Sequence, residues 1–245
     1  MRNEQKIFAY CERGSDPSFW AEPLNAITNL GFILAFAYCV GALANRPKGE
    51  HGPWMHFLVW TVLAIGVGSF LFHTLATPRA ALADVIPIGV FMLAYFGYAL
   101  RRFLRFNMVA TLAGVFAFAA LINLAQSLRC HRGRIGFFTD VPAFENTACL
   151  NGSLGYVPAF LAMAVIGAVL ALKAHPAARY VLAAAGIFAI SLTFRTFDRA
   201  WCEIFTLEGV RIGTHFLWHI LNSITLFILL LAAIRHGHHY GRLQG

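Results

Sequence analysis

Residues 215–234 read HFLWHILNSITLFILLLAAI, twenty consecutive positions without Asp, Glu, Lys or Arg. A helix of that length rises about 30 Å, the hydrocarbon thickness of a bilayer. The segment belongs to an apolar stretch from about 212 to 234, and it opens with two histidines, His215 and His219. Working back along the chain, six more apolar stretches run over about 23–44, 54–75, 82–100, 106–128, 154–172 and 180–194. The sixth is short and has room to extend into Arg195-Thr196-Phe197. Pro, Gly and charge cluster at the breaks, in Asn45-Arg46-Pro47-Lys48-Gly49, Thr77-Pro78-Arg79, Arg101-Arg102 and His175-Pro176. Of the 245 residues 59% are hydrophobic and only 12% charged, with a mean hydropathy of +0.65. Soluble domains run about 45–50% apolar and about 25% charged, so disorder, a coiled coil and an ordinary soluble enzyme are excluded. The sequence predicts an all-α membrane protein, a single seven-transmembrane helix bundle over residues 1–245. It contains no internal repeat, and one long connection, residues 129–153, is expected to fold over the membrane surface.

The net charge of +8 is carried by basic residues scattered singly between apolar runs. Short loops facing anionic head groups account for it, and no stripe or motif points to nucleic acid. Residues 1–22 mix Arg2, Lys6 and Arg13 with Glu4, Glu12, Asp16 and Glu22 and have no apolar core, so they do not read as a cleavable signal. An odd number of spans puts the termini on opposite sides. The C-terminal side carries its Lys and Arg on short loops with one acid, Glu50, which predicts a cytoplasmic C-terminus and a non-cytoplasmic N-terminus. Cys11, Cys130, Cys149 and Cys202 fall on the N-terminal side, while Cys39 lies inside the first span. Four thiols on one face suit an oxidising compartment. Of the three pairings open to them, Cys11 with Cys202 and Cys130 with Cys149 is preferred; the plainer reading is free thiols packed at the membrane edge.

Ionisable groups inside a membrane are costly and mark function by default. Here they are His73, with Ser69 one turn before it, near the end of the second span; Asp84, opening the third; and His215 and His219, opening the seventh. Tracing the chain back and forth brings all five to one depth near the N-terminal side. The His-x-x-x-His spacing stacks His215 and His219 on one helix face, the arrangement that chelates a metal. His73 then supplies a third nitrogen, and three imidazoles with an open position describe a catalytic zinc (Zn2+) site. Asp84 is placed to exchange protons and Ser69 to face the same centre. Taken singly, each piece has a plainer reading: packing histidines, an interhelical hydroxyl, a helix cap at Asp84. Asn222, on the face of His219, fits either a supporting contact or interhelical glue. Gly66 and Gly68 suit close helix packing. Trp54, Trp60 and Trp218 read as interfacial anchors or core, and the His236-Gly237-His238-His239 tail as a solvated end. His51, His56, His131 and His175 lie at loops or edges.

The pattern Ser69-x-x-x-His73, then Asp84, then His215-x-x-x-His219 resembles the alkaline ceramidase family, seven-span zinc amidases in a superfamily shared with the adiponectin and progestin receptors. The resemblance extends to Cys11-Glu12, Trp20-x-Glu22, Asn25, Asn29 and the segment Asp198 to Cys202. It implies zinc on His73, His215 and His219, proton transfer by Asp84, oxyanion stabilisation by Ser69, a Cys11–Cys202 disulfide and a ceramide-like membrane lipid as substrate, cleaved to a long-chain base and a fatty acid. It also implies a calcium (Ca2+) site near the N-terminus. Glu12 and Glu22 match that pattern and Asp16 is available to it, but Ala9 and Gly14 stand where the family has oxygen-bearing side chains. Two other classes predict different features. A zinc-containing receptor without turnover calls for a soluble domain or long tail for coupling, and a transporter calls for polar residues through the whole membrane thickness.

Overall fold

The computed structural model describes residues 6–47, 52–130 and 147–237. The centre of the long connection, the histidines at 51 and 131, and His238 and His239 of the tail lie outside these residues. The chain forms α1 (Pro23–Thr28), α2 (Leu30–Ala44), α3 (Pro53–Leu75), α4 (Pro78–Tyr98), α5 (Met108–Ser127), α6 (Val157–Leu172), α7 (Ala178–Phe197) and α8 (His215–His236). Helix α1 runs into α2 through Asn29, which keeps helical dihedrals, and the pair makes the first span. Seven helical segments are long and apolar enough to cross a membrane. The protein is a seven-transmembrane helix bundle.

Local chemistry sets the helix starts. Pro23, Pro53 and Pro78 open their helices, where a missing N–H costs nothing and a fixed φ helps. Asn107 caps α5 by accepting from the Ala110 N–H. The third span starts at Pro78, four residues before the expected Leu82, because Thr77 accepts from the Ala80 N–H and caps the helix. Asp84 consequently sits in the second turn of α4 rather than at its opening. The sixth span extends to Phe197. The seventh starts at His215 rather than 212, because Gly213 takes a left-handed φ of 65° just ahead of it. A two-residue link, with Ala76 in the left-handed region, folds α3 back on α4.

Helix α8 is the most deeply buried and packs against α2, α3 and α7. Buried hydroxyls tie α4 to it: Tyr95 donates to the Leu229 carbonyl at 2.9 Å and Tyr98 to that of Ala233 at 3.2 Å. Helix α5 lies at the edge and presents Val109, Leu112 and Phe116 outward, as a lipid-facing helix does. Trp54 and Trp60 also face outward, whereas Trp218 is buried against Tyr156 and Phe188. On the N-terminal side, β1 (Arg129–Cys130) pairs antiparallel with β2 (Thr147–Ala148). The Cys130–Cys149 disulfide closes that connection, and Cys11–Cys202 ties the N-terminal segment to the loop before α8.

Candidate metal centre

His73 reaches the centre from the last turns of α3, and His215 and His219 from the first turn and a half of α8. All three are essentially inaccessible to solvent. One ring nitrogen from each lies within 4.8 Å of those of the other two. The remaining atoms show which way the rings point. His73 gives Nδ1 to Glu22, and His219 Nδ1 meets the Thr28 hydroxyl at 3.1 Å. That leaves His73 Nε2, His219 Nε2 and His215 Nδ1 buried without a hydrogen-bond partner. An unpaired buried polar atom costs roughly 1–3 kcal/mol, and each of the three converging histidines carries one. Neutral imidazoles fixed through their second nitrogen by a carboxylate or hydroxyl are the donor set of a zinc site. The residues present fit that ion.

Ser69, on α3 one turn before His73, and Asp84, in the second turn of α4, are both buried. The two helices that carry them approach closely at this level. A Cβ at Gly68 would lie 2.6 Å from the Ala83 carbonyl carbon and 3.2 Å from the Asp84 amide nitrogen. Pro87, inside α4, has no N–H to give the Ala83 carbonyl, so this bare carbonyl is the surface on which Gly68 rests.

Around the histidines lie residues to which the sequence reading gave no role, such as Tyr10, and others to which it gave a different or an open one, such as Glu22 and Asn222. Asp198, just past α7, accepts from the Thr214 and His215 N–H groups at 2.7 and 2.9 Å and so caps α8 from a distance. Its other oxygen accepts from the Cys11 N–H at 2.8 Å. Burial raises the Asp198 carboxyl above the usual range, against the pull of those three amides. Tyr10 stacks on His215 with ring centroids 3.6 Å apart, and burial raises its hydroxyl well above the ordinary phenol range. Burial also acts to raise Glu22, but hydrogen bonds from His73, Asn25 and Arg13 outweigh it and hold the carboxyl below the usual range. Arg195 sits half-buried beside Tyr156 and Trp218 and donates to the Asn151 carbonyl and the Ser153 hydroxyl. Asn222 lines an apolar cavity bordered by α3 to α8, together with Ile65, Phe91, Phe118 and Trp218. A second cavity opens beside Arg195 and shares Ile88, Met92 and Tyr156 with the first.

The carboxylates expected to hold calcium do not converge. Glu12 accepts from the Leu24 and Asn25 N–H groups and caps α1. Asp16 is exposed and accepts from the Ser18 N–H, which holds its carboxyl below the usual range. Glu22 is engaged by Arg13, Asn25 and His73. Among the described residues the histidine trio is the only group of three or more such side chains with metal-binding proximity, and the N-terminal carboxylates do not fit a calcium ion.

A buried, converging imidazole trio at one end of a seven-helix bundle defines a polytopic membrane protein with a candidate metal centre. The family model described as Ceramidase matches residues 8–243. The chain belongs to the Ceramidase family. No curated protein matches it.

Proposed function

We propose that the protein is an intramembrane zinc-dependent lipid amide hydrolase, cleaving ceramide or a closely related lipid to a long-chain base and a free fatty acid. The single observation that carries this reading is the set of three buried, unpartnered ring nitrogens on His73, His215 and His219. Family membership supports the substrate class. When bound, zinc lowers the pKa of water towards neutrality and polarises an acyl carbonyl. The chain supplies the rest. Asp84 accepts the proton as the water oxygen bonds to the acyl carbon. The Ser69 hydroxyl donates to the oxygen on which negative charge develops. Asp84 then returns the proton to nitrogen as the C–N bond breaks, which releases the amine and leaves the carboxylic acid. Glu22 and Thr28 hold two imidazoles in the tautomer that turns a lone pair inward.

The two neighbouring cavities suit the substrate's two parts. The inner one is almost wholly apolar and suits an alkyl chain; the outer one, with Arg195 and Gln126 on its wall, suits a polar head group. Two disulfides on the N-terminal side support a non-cytoplasmic N-terminus and active site, with a cytoplasmic C-terminus. The whole chain acts as one seven-span unit in this reading.

The test is to purify the His215→Ala and Asp84→Asn variants, measure bound zinc by elemental analysis and follow a fluorescent ceramide. His215→Ala is expected to lose zinc and turnover. Asp84→Asn is expected to keep zinc and lose about 10²–10⁴-fold in rate, the range for a general acid–base group. Unchanged zinc content and turnover in His215→Ala would eliminate the proposal.

A further inference from the structure

The same end of the bundle contains a positive charge that belongs to the chain itself. The Arg13 side chain is completely buried. Its Nε donates to Glu22 Oε1 at 2.5 Å. One terminal nitrogen donates to the carbonyls of Asp16 and Ser18, at 3.2 and 2.9 Å, and the other donates to the carbonyl of His73 at 2.7 Å. One carboxylate and three backbone carbonyls about a single positive centre form an all-oxygen shell of the kind that holds calcium. The groups it joins are far apart in sequence: a loop at residues 13–18, the start of the first span, and the C-terminal end of α3.

We propose that the Arg13 guanidinium is a built-in substitute for a divalent cation. It clamps the N-terminal segment over the metal centre, so that the protein needs no calcium there. The geometry explains why Glu12, Asp16 and Glu22 fail to converge. The carboxylate with most reason to bind an ion, Glu22, already has one oxygen on Arg13, and its other oxygen faces His73 and Asn25. A guanidinium is permanently charged and presents its donors in a rigid fork, so the clamp cannot dissociate when calcium is scarce. Arg13 is also a positioning residue. It fixes Glu22, which orients His73, and it fixes the His73 carbonyl directly. Only this last role rests on the zinc reading above.

The experiment uses full-length protein purified in detergent, with free zinc held constant, and calcium chloride titrated from nominally zero to millimolar. Wild type is expected to show no change in melting temperature or turnover. Arg13→Gln is expected to melt lower and to bind zinc about tenfold more weakly, the scale for losing an outer support of a metal ligand. Arg13→Lys keeps the charge without the fork and is expected to fall between the two. Free guanidinium at low concentration is expected to recover part of the Arg13→Gln loss, which a purely steric defect would not allow. Saturable stabilisation of wild type by calcium would overturn the proposal, as would wild-type melting and zinc affinity in Arg13→Gln. Should Arg13→Gln fail to fold, Arg13→Lys and the wild-type titration decide alone, with undiminished zinc affinity in Arg13→Lys counting against it. Absence of zinc from wild type would sink the hydrolase reading, while the calcium titration would still judge the clamp.

Discussion

Replacing Gly68 by alanine adds one methyl group at the closest approach of α3 and α4. The new carbon would lie 2.6 Å from the Ala83 carbonyl carbon and closer still to its oxygen. Ordinary carbon contact begins at about 3.5 Å, so the helices must part by about 1 Å. The obstacle is backbone, and no rotamer change relieves it. On an open helix face the same change gains roughly 0.5–1 kcal/mol; here overpacking of roughly 1–3 kcal/mol opposes it. Ser69 and His73 travel with α3 while Asp84 travels with α4, so parting the helices draws the carboxyl away from the imidazole trio. Misplacing a catalytic group by about 1 Å costs on the order of 10²-fold in rate. Gly68→Ala is therefore expected to keep its zinc, because the ligands reside on α3 and α8, and to lose about 10²-fold in turnover of a fluorescent ceramide. Gly41→Ala and Gly186→Ala serve as controls, since a Cβ at either meets nothing within 4 Å; both should retain turnover and melt slightly higher. Turnover within about twofold of wild type in Gly68→Ala would refute the claim that this contact sets the position of Asp84.

Two other outcomes follow from the N-terminal segment. Cys202→Ser removes a bridge spanning 191 residues, for which about 2–5 kcal/mol is typical. The low end is expected because the spans stay helical on unfolding in detergent, and a lowered melting temperature together with lost turnover, as Tyr10 leaves His215, would show it. Burial pushes the Glu12 carboxyl up to about 7, against the pull of the Asn25 and Leu24 amides. Its folded-state pKa is thus higher than its unfolded value near 4.3. The folded state holds the proton more tightly, and stability falls as pH rises from about 4.3 through 7. Glu12→Gln is expected to flatten that slope in melting curves, and an unchanged slope would contradict it.

How much of this was legible in the sequence divides at the membrane boundary. Inside lipid every polar side chain carries a cost, so His73, Asp84, His215 and His219 stood out against their apolar neighbours, and span length alone gave the bundle. The structure brings the three histidines together and buries Asp84 and Ser69 on neighbouring helices. Outside lipid polarity costs little and signals little. Glu22, Thr28, Asp198, Tyr10 and Arg13 lie before the first span, in its first turns or in a loop, where charged and hydroxyl residues are ordinary. Their contacts join residues 51, 60 or 191 positions apart, and no local spacing encodes such pairs. Thr77-Pro78 is both a break between spans and a helix start, since Thr77 caps the helix that Pro78 opens; hydropathy alone puts the start of the third span at Leu82, where the apolar run begins.

That division has a functional consequence. The ring nitrogens that face one another are held by helices whose depth the bilayer sets, but their orientation comes from the segment of residues 10–22 folded over the end of the bundle. Glu22 fixes His73, Tyr10 covers His215, and the Cys11 amide shares Asp198 with the start of α8. A disulfide and a buried guanidinium tie that segment to the bundle, besides its aromatic contacts with α3. Damage there should therefore impair the metal centre before it unfolds the bundle. Substitutions among the core residues Leu58, Val62 and Leu230 should do the reverse. The order in which zinc affinity and helicity are lost on heating separates the two kinds of defect.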